Sequence, residues 1–298
     1  MRRWLEILLA AFLAVSCGTA RYARGMESSD IETIVPADGI IQPVEYPSRE
    51  RRLDHRRMVV YLPADYYADT ARRYPVMYLL HGARGNEVTW MEKQRGDAIH
   101  SKDSLVSAGL TEDFILVMPN INCYFSDKEY NNGHAINAVR AFWIVDGEAE
   151  VHFVEDVVDF VDARFRTIPE KQARTIAGMS TGGMQALYLS ANHPDVFGNV
   201  GLFSAYSANT FAGLRHPEFY LGLSRKLRAQ FAQAPDNYVI MIGHADIFYP
   251  NMCCYSRRLT RHGYKHSFID YPGGHEWYNW RVFFVRFCQE VYGKEGAE

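Results

Sequence analysis

Three short stretches of the chain carry residue types able to perform nucleophilic chemistry. Gly178-Met179-Ser180-Thr181-Gly182 sets a serine between two glycines. It follows a brief strand-like run, Arg174–Ala177, and opens a stretch from Gly182 to His193 that reads as a helix halted by Pro194. A serine on so cramped a strand-to-helix turn has its hydroxyl thrust outward, and the flanking glycines permit the turn. The helix start behind it presents backbone N–H groups to a developing negative charge. Ser180 is therefore the expected nucleophile, and the Thr181 amide one expected oxyanion donor. His81-Gly82-Ala83-Arg84-Gly85 lies straight after the run VMYLL, Val76–Leu80. A flexible H-G turn at a strand's C-terminal edge can aim a backbone amide at the same spot, and the Ala83 N–H is the second expected donor. Pro272-Gly273-Gly274-His275-Glu276-Trp277 follows the run SFIDY. The glycine pair frees that loop, and His275 is the expected general base. Of the eleven histidines, His134, His152 and His244 lack this setting and read as surface or packing residues.

The acid of such a constellation is expected between serine and histidine in chain order. Asp246 sits just past the run YVIMI, in the loop layer where sites of open α/β sheets assemble. Asp270 is the rival, but it lies within a strand only five residues before His275. The reading favours Asp246. Together these groups fit acyl transfer: Ser180 attacks an ester carbonyl, His275 takes its proton, and Asp246 holds the imidazole. This chemistry calls for neither metal nor organic cofactor, and neither C-x-x-C nor H-E-x-x-H occurs.

These loops need a scaffold with strand ends side by side. The apolar runs Arg57–Leu62, Val76–Leu80, Phe114–Met118, Val200–Phe203, Tyr238–Ile242 and Ser267–Tyr271 read as strands. Between or after them lie helical patterns. Glu148–Phe165 carries Val151, Val154, Val158, Val161 and Phe165 at three- and four-residue steps, and further helices are expected near 251–262 and 277–292. Alternation of this kind predicts right-handed crossovers and an α/β fold: a mostly parallel, doubly wound sheet with helices on both faces. One domain over residues 46–293 is the simplest division. The 298 residues are 48% hydrophobic and 22% charged, ordinary globular usage that argues against disorder or a coiled coil. Thirty-two basic against 35 acidic residues give a net charge of −3, which offers a nucleic-acid partner no support.

The N-terminus reads as a sorting signal. Arg2 and Arg3 precede the apolar stretch Ile7–Val15, too short to span a bilayer and suited to a signal peptide over residues 1–16. Leu13-Ala14-Val15-Ser16-Cys17 resembles the lipobox of bacterial lipoproteins, with Cys17 as the lipidated residue and residues 17–45 as a tether. The expectation is export and attachment to a membrane through that lipid. Cys123, Cys253, Cys254 and Cys288 remain, and sequence does not choose among their pairings.

The stretches YPVMYLLHGARG, FILVMPN, RTIAGMSTGGMQALYLSANHPDVFGNV and YPGGHEWYNWR give the chain a specific resemblance. It resembles the bacterial "putative esterase" family of α/β-hydrolases over about residues 50–290. That family takes in the feruloyl and acetylxylan esterases of carbohydrate esterase family 1, S-formylglutathione hydrolase, enterochelin esterases and mycolyltransferases. The resemblance implies the α/β-hydrolase fold, a triad at Ser180, Asp246 and His275, and oxyanion donors at Ala83 and Thr181. Many members have methionine where Thr181 stands, and residues 131–150 match no subgroup. The expected activity is a serine carboxylesterase on acylated carbohydrate, with feruloyl or acetyl esters of plant polysaccharide foremost. Acyl transfer to another alcohol, cleavage of a siderophore ester, and a catalytically idle carbohydrate-binding protein are the alternatives. Trp90, Tyr124 and Trp277 are expected substrate contacts through flat-ring stacking, and Arg84 through a carboxylate or hydroxyl.

Overall fold

The computed structural model describes residues 39–50, 53–83, 85–122, 147–207 and 216–294. Eight strands join in one sheet: β1 Ile40–Pro47, β2 His55–Leu62, β3 Val76–Leu80, β4 Ile115–Pro119, β5 Arg174–Met179, β6 Asn199–Phe203, β7 Asn237–Gly243 and β8 Ser267–Tyr271. Their spatial order is β1-β2-β4-β3-β5-β6-β7-β8. β2 runs antiparallel to β1 and β4, and every pairing from β4 to β8 is parallel. The helices are α1 Ala98–Ser107, α2 Glu148–Val151, α3 Asp159–Arg164, α4 Thr181–Asn192, α5 Pro217–Tyr220, α6 Leu223–Ala232, α7 Tyr249–Arg261 and α8 Trp277–Tyr292.

Strand alternation sorts the apolar side chains onto two faces. Met77, Leu79, Ala177, Met179 and Met241 meet α1 and α8 through Ile99, Leu105, Phe283, Phe284 and Phe287. Val76, Tyr78, Leu80, Ile176, Leu202 and Ile240 meet the other helices through Val161, Leu187, Leu227, Met252 and Leu259. Covered on both sides, β3, β4 and β6 are buried at every residue, which is why β3 and β4 are unbroken apolar runs and β6 is one after Asn199. Burial of each such Val, Leu or Ile contributes roughly 1.5–3 kcal/mol.

Two expectations need correction. Residues 40–45 of the predicted tether form most of β1, in register with β2 from Ile40↔Leu62 to Pro47↔His55. The amphipathic stretch 148–165 is not one α-helix: a π-helical turn at Val154–Val158 separates α2 from α3. The wide turn shifts the inward face, so that Phe153 and Val157 are buried while Val151 and Val154 are only partly covered. Among the described residues no helix is long and apolar enough to cross a membrane, and Cys253, Cys254 and Cys288 form no disulfide. Residues 1–38 and Cys123 lie outside the described residues, and with them the expected signal peptide and Cys17.

Candidate active site

The chain leaves β3 towards β4 on one side and reaches β5 to β8 on the other, so the order reverses between β3 and β5. Loops after the C-terminal ends of parallel strands meet over such a reversal. His81 follows β3, Ser180 follows β5, Asp246 follows β7 and His275 follows β8.

Ser180 takes φ 56° and ψ −117°, a left-handed backbone that costs a non-glycine residue on the order of 1–3 kcal/mol. Surrounding bonds hold it there: its amide donates to the Phe203 carbonyl at 2.8 Å, and its own carbonyl accepts the Met184 amide at 3.0 Å. Both glycines of the motif are required by close approach. A Cβ on Gly178 would lie 2.6 Å from the Gly182 backbone, and one on Gly182 would lie 2.4 Å from the His81 carbonyl oxygen. The second contact also shows how tightly the loop after β3 rests on the turn that carries Ser180. Thr181 opens α4, so its amide has no carbonyl one turn earlier to bond. The ring of Tyr206 packs 4.7 Å from that of Phe248.

His275 Nε2 lies 2.9 Å from Ser180 Oγ, and His275 Nδ1 lies 2.9 Å from Asp246 Oδ2. The Asp246 side chain is fully buried, and its Oδ1 accepts the Phe248 amide at 2.9 Å. The imidazole is boxed edge-to-face by Phe248 at 5.3 Å and Trp280 at 4.9 Å. Gly273, at φ 100°, turns the histidine loop back, so that its carbonyl accepts the Ala245 amide at 2.9 Å and joins the acid and base loops. Asp270 is engaged elsewhere: its Oδ2 accepts Tyr249 Oη at 2.9 Å and lies 2.9 Å from His244 Nε2. The bond from Tyr249 foremost, then that from His244, holds the Asp270 carboxyl below its ordinary pKa.

A sequence profile described as "Putative esterase" matches residues 52–243. The chain belongs to this esterase family. The endo-1,4-beta-xylanase/feruloyl esterase of Xylanibacter ruminicola is 32% identical over 148 residues, which are 49% of this chain and 19% of that protein. The match to this relative thus spans about half of the chain and under a fifth of the relative's length. Among solved structures, a CE1 ferulic acid esterase from Anaeromyces mucronatus aligns with TM-score 0.67 at 20% identity, covering 91% of this chain and 94% of that one. An S-formylglutathione hydrolase from Staphylococcus aureus aligns with TM-score 0.63 at 20% identity, covering 87% and 99%. Likeness at that identity establishes the fold, and the expected α/β-hydrolase architecture is the observed one.

The expected substrate contacts divide. Trp90 is 1% exposed, and its Nε1 donates to the Leu80 carbonyl at 3.0 Å. Phe203, Phe284 and Trp277 enclose the indole, so it is a core residue and not a substrate contact in this esterase. Trp277 is half-buried, edge-on to Trp90 and to Trp280, and borders the His275 box from outside. Arg84 and Tyr124 lie outside the described residues. Sequence reasoning passed over Phe248 and Trp280, the two rings on His275. Their positions carry no signal until α8 and the acid loop are folded together.

Proposed function

We propose that this family member is a serine carboxylesterase that hydrolyses an ester on acylated carbohydrate, with feruloyl esters the first choice. The observation that carries the reading is the continuous relay from Ser180 Oγ through His275 to Asp246, with both steps at 2.9 Å. In this reaction Ser180 Oγ attacks the ester carbonyl carbon and its proton passes to His275 Nε2. The carbonyl oxygen becomes an oxyanion that meets the Ala83 and Thr181 amides. Collapse expels the sugar alcohol, which takes the proton from His275. Water, deprotonated by the same imidazole, then releases the acid and restores Ser180. Asp246 keeps the Nδ1 proton in place and stabilises the imidazolium.

The acyl and alcohol parts of this reading are supported by the feruloyl esterase named among the curated relatives and by the fold shared with a ferulic acid esterase. The proposed location is the cell envelope, supported by Arg2, Arg3, the Ile7–Val15 stretch and Cys17. A panel of methyl ferulate, acetylated xylan, p-nitrophenyl acetate, a siderophore ester and a thioester, ranked by kcat/KM, tests the substrate. The expected order puts methyl ferulate first, and preference for the thioester overturns that choice. A fluorophosphonate probe should label the wild-type protein and not Ser180→Ala. Equal labelling of the two removes the nucleophile assignment. Radiolabelled palmitate should appear on the chain in a bacterial host and disappear with Cys17→Ser. An exported but unlabelled chain refutes the lipid anchor.

A further inference from the structure

His81 takes no proton from substrate in this reaction, and its imidazole is too enclosed to touch one, at 3% exposure. Its Nε2 lies 3.2 Å from the Ile121 amide, which can only donate. A ring nitrogen that accepts carries no proton, so the proton of the neutral ring sits on Nδ1. That nitrogen lies 2.8 Å from the Gly82 carbonyl oxygen and donates to it. Burial first, and the nearby Arg56 charge less so, drive the His81 pKa down to about 4, against the bond to Gly82. One tautomer therefore holds across neutral and mildly acidic solution.

The Gly82 carbonyl also accepts the Gly85 amide at 3.0 Å. It belongs to the same peptide unit as the Ala83 N–H. The described residues contain no cis peptide, and in a trans unit the C=O and N–H point in opposite directions. Holding the carbonyl towards His81 therefore aims the Ala83 amide away from it. Rotation of that one peptide would break both bonds and turn the amide aside.

We propose that His81 is a positioning residue for ester cleavage: its Nδ1–H pins the Gly82 carbonyl and so fixes the direction in which the Ala83 amide meets the oxyanion. This rests on the esterase reading above. The far side of the ring is tied to an anchored segment. Asn120 donates to Glu87 Oε2 at 2.7 Å, and the Asn122 side-chain amide donates to the Gly85 carbonyl. Arg56 Nη1 donates to the Asn120 and Asn122 carbonyls at 2.9 Å each, and Gln185 of α4 reaches the Ile121 carbonyl at 3.4 Å. The imidazole thus spans from a fixed base to the one peptide whose orientation matters.

The test uses the full-length protein, p-nitrophenyl acetate, and a trifluoromethyl ketone. The ketone carbon bonds to Ser180 Oγ, the serine proton passes to His275, and the ketone oxygen becomes an alkoxide where the oxyanion would lie. In His81→Leu, kcat/KM and ketone affinity should each fall about 100-fold, the effect of losing or misplacing one such donor. Inhibition by coniferyl alcohol, which keeps the aromatic ring but has no carbonyl or carboxylate oxygen to meet the amides, should stay unchanged. His81→Asn places an amide N–H where Nδ1 stands and should recover most of the loss. His81→Gln reaches only the Nε2 position and should not. If the leucine variant fails to fold, the Asn and Gln pair decides. Unchanged ketone affinity in folded His81→Leu, or equal Asn and Gln variants after correction for folded fraction by circular dichroism, overturns the proposal. A wild-type protein that neither cleaves esters nor binds the ketone would instead remove the esterase reading itself.

Discussion

Asparagine at position 246 should silence the proposed reaction without disturbing the fold. Asp246 uses both oxygens: Oδ1 accepts the Phe248 amide at 2.9 Å and Oδ2 faces His275 Nδ1 at 2.9 Å. An asparagine of the same shape keeps its oxygen on the Phe248 amide, because a backbone N–H tolerates only an acceptor there. Its NH2 group is then forced to face Nδ1. Two donors cannot share that contact, so the imidazole must move its proton to Nε2. Nε2 is the atom 2.9 Å from Ser180 Oγ, and once protonated it cannot take the serine proton. The negative charge that stabilises the imidazolium is lost at the same stroke. For a Ser-His-Asp relay this exchange lowers kcat by roughly 10⁴, or about 5 kcal/mol of barrier. The assay is steady-state kcat on p-nitrophenyl acetate and methyl ferulate, with circular dichroism and a thermal melt on the same samples. The expected result is a kcat loss near that size with a near-native melt. Activity within tenfold of wild type in a folded Asp246→Asn protein would refute the reasoning. Asp270→Asn is the matched control: its carboxylate engages His244 and Tyr249, and kcat should stay within a few-fold of wild type.

His275→Ala should remove most turnover on the same esters, and near-full activity in that variant would leave the base unidentified. Trp90→Ala deletes a buried indole and its hydrogen bond to the Leu80 carbonyl, so it should destabilise the protein by roughly 3–5 kcal/mol in urea melts. KM for methyl ferulate should barely move in the folded fraction, whereas a large rise in KM would restore Trp90 as a substrate contact. Stability should also fall in acid through His81. Its folded pKa, about 4, is depressed below the ordinary 6.5, so its contribution is complete above pH 6.5 and is lost as pH drops towards 4. The unfolded chain takes up the proton that the folded site refuses, for a loss of about 3 kcal/mol. His193, also lowered by burial, acts in the same direction. Urea melts between pH 7.5 and 4.5 should show the decline, and His81→Gln should make it shallower; identical slopes would contradict a neutral buried imidazole.

The strands of the middle of the sheet were legible because burial on both faces demands unbroken apolar runs, and Val76–Leu80 shows this most plainly. β1 was not. Ile40–Pro47 contains Pro43 and Pro47, residues excluded from central strands and tolerated at an edge, where only one side pairs. The π-helical turn at Val154–Val158 was hidden as well, since apolar steps of three and four do not show where a turn widens.

From its residue order alone the chain set the chemistry that its strand ends carry: a serine between glycines, a histidine after a glycine pair, and an aspartate between them. Those features are local, fixed by how a turn must bend and by which side chains ionise. Folding decided which acid meets the imidazole, that Trp90 points inward, and that His81 grips the peptide beside it. Each of these outcomes depends on which face of a strand a side chain leaves and on what a distant loop places within three ångströms of it, and neither quantity is carried by neighbours along the chain.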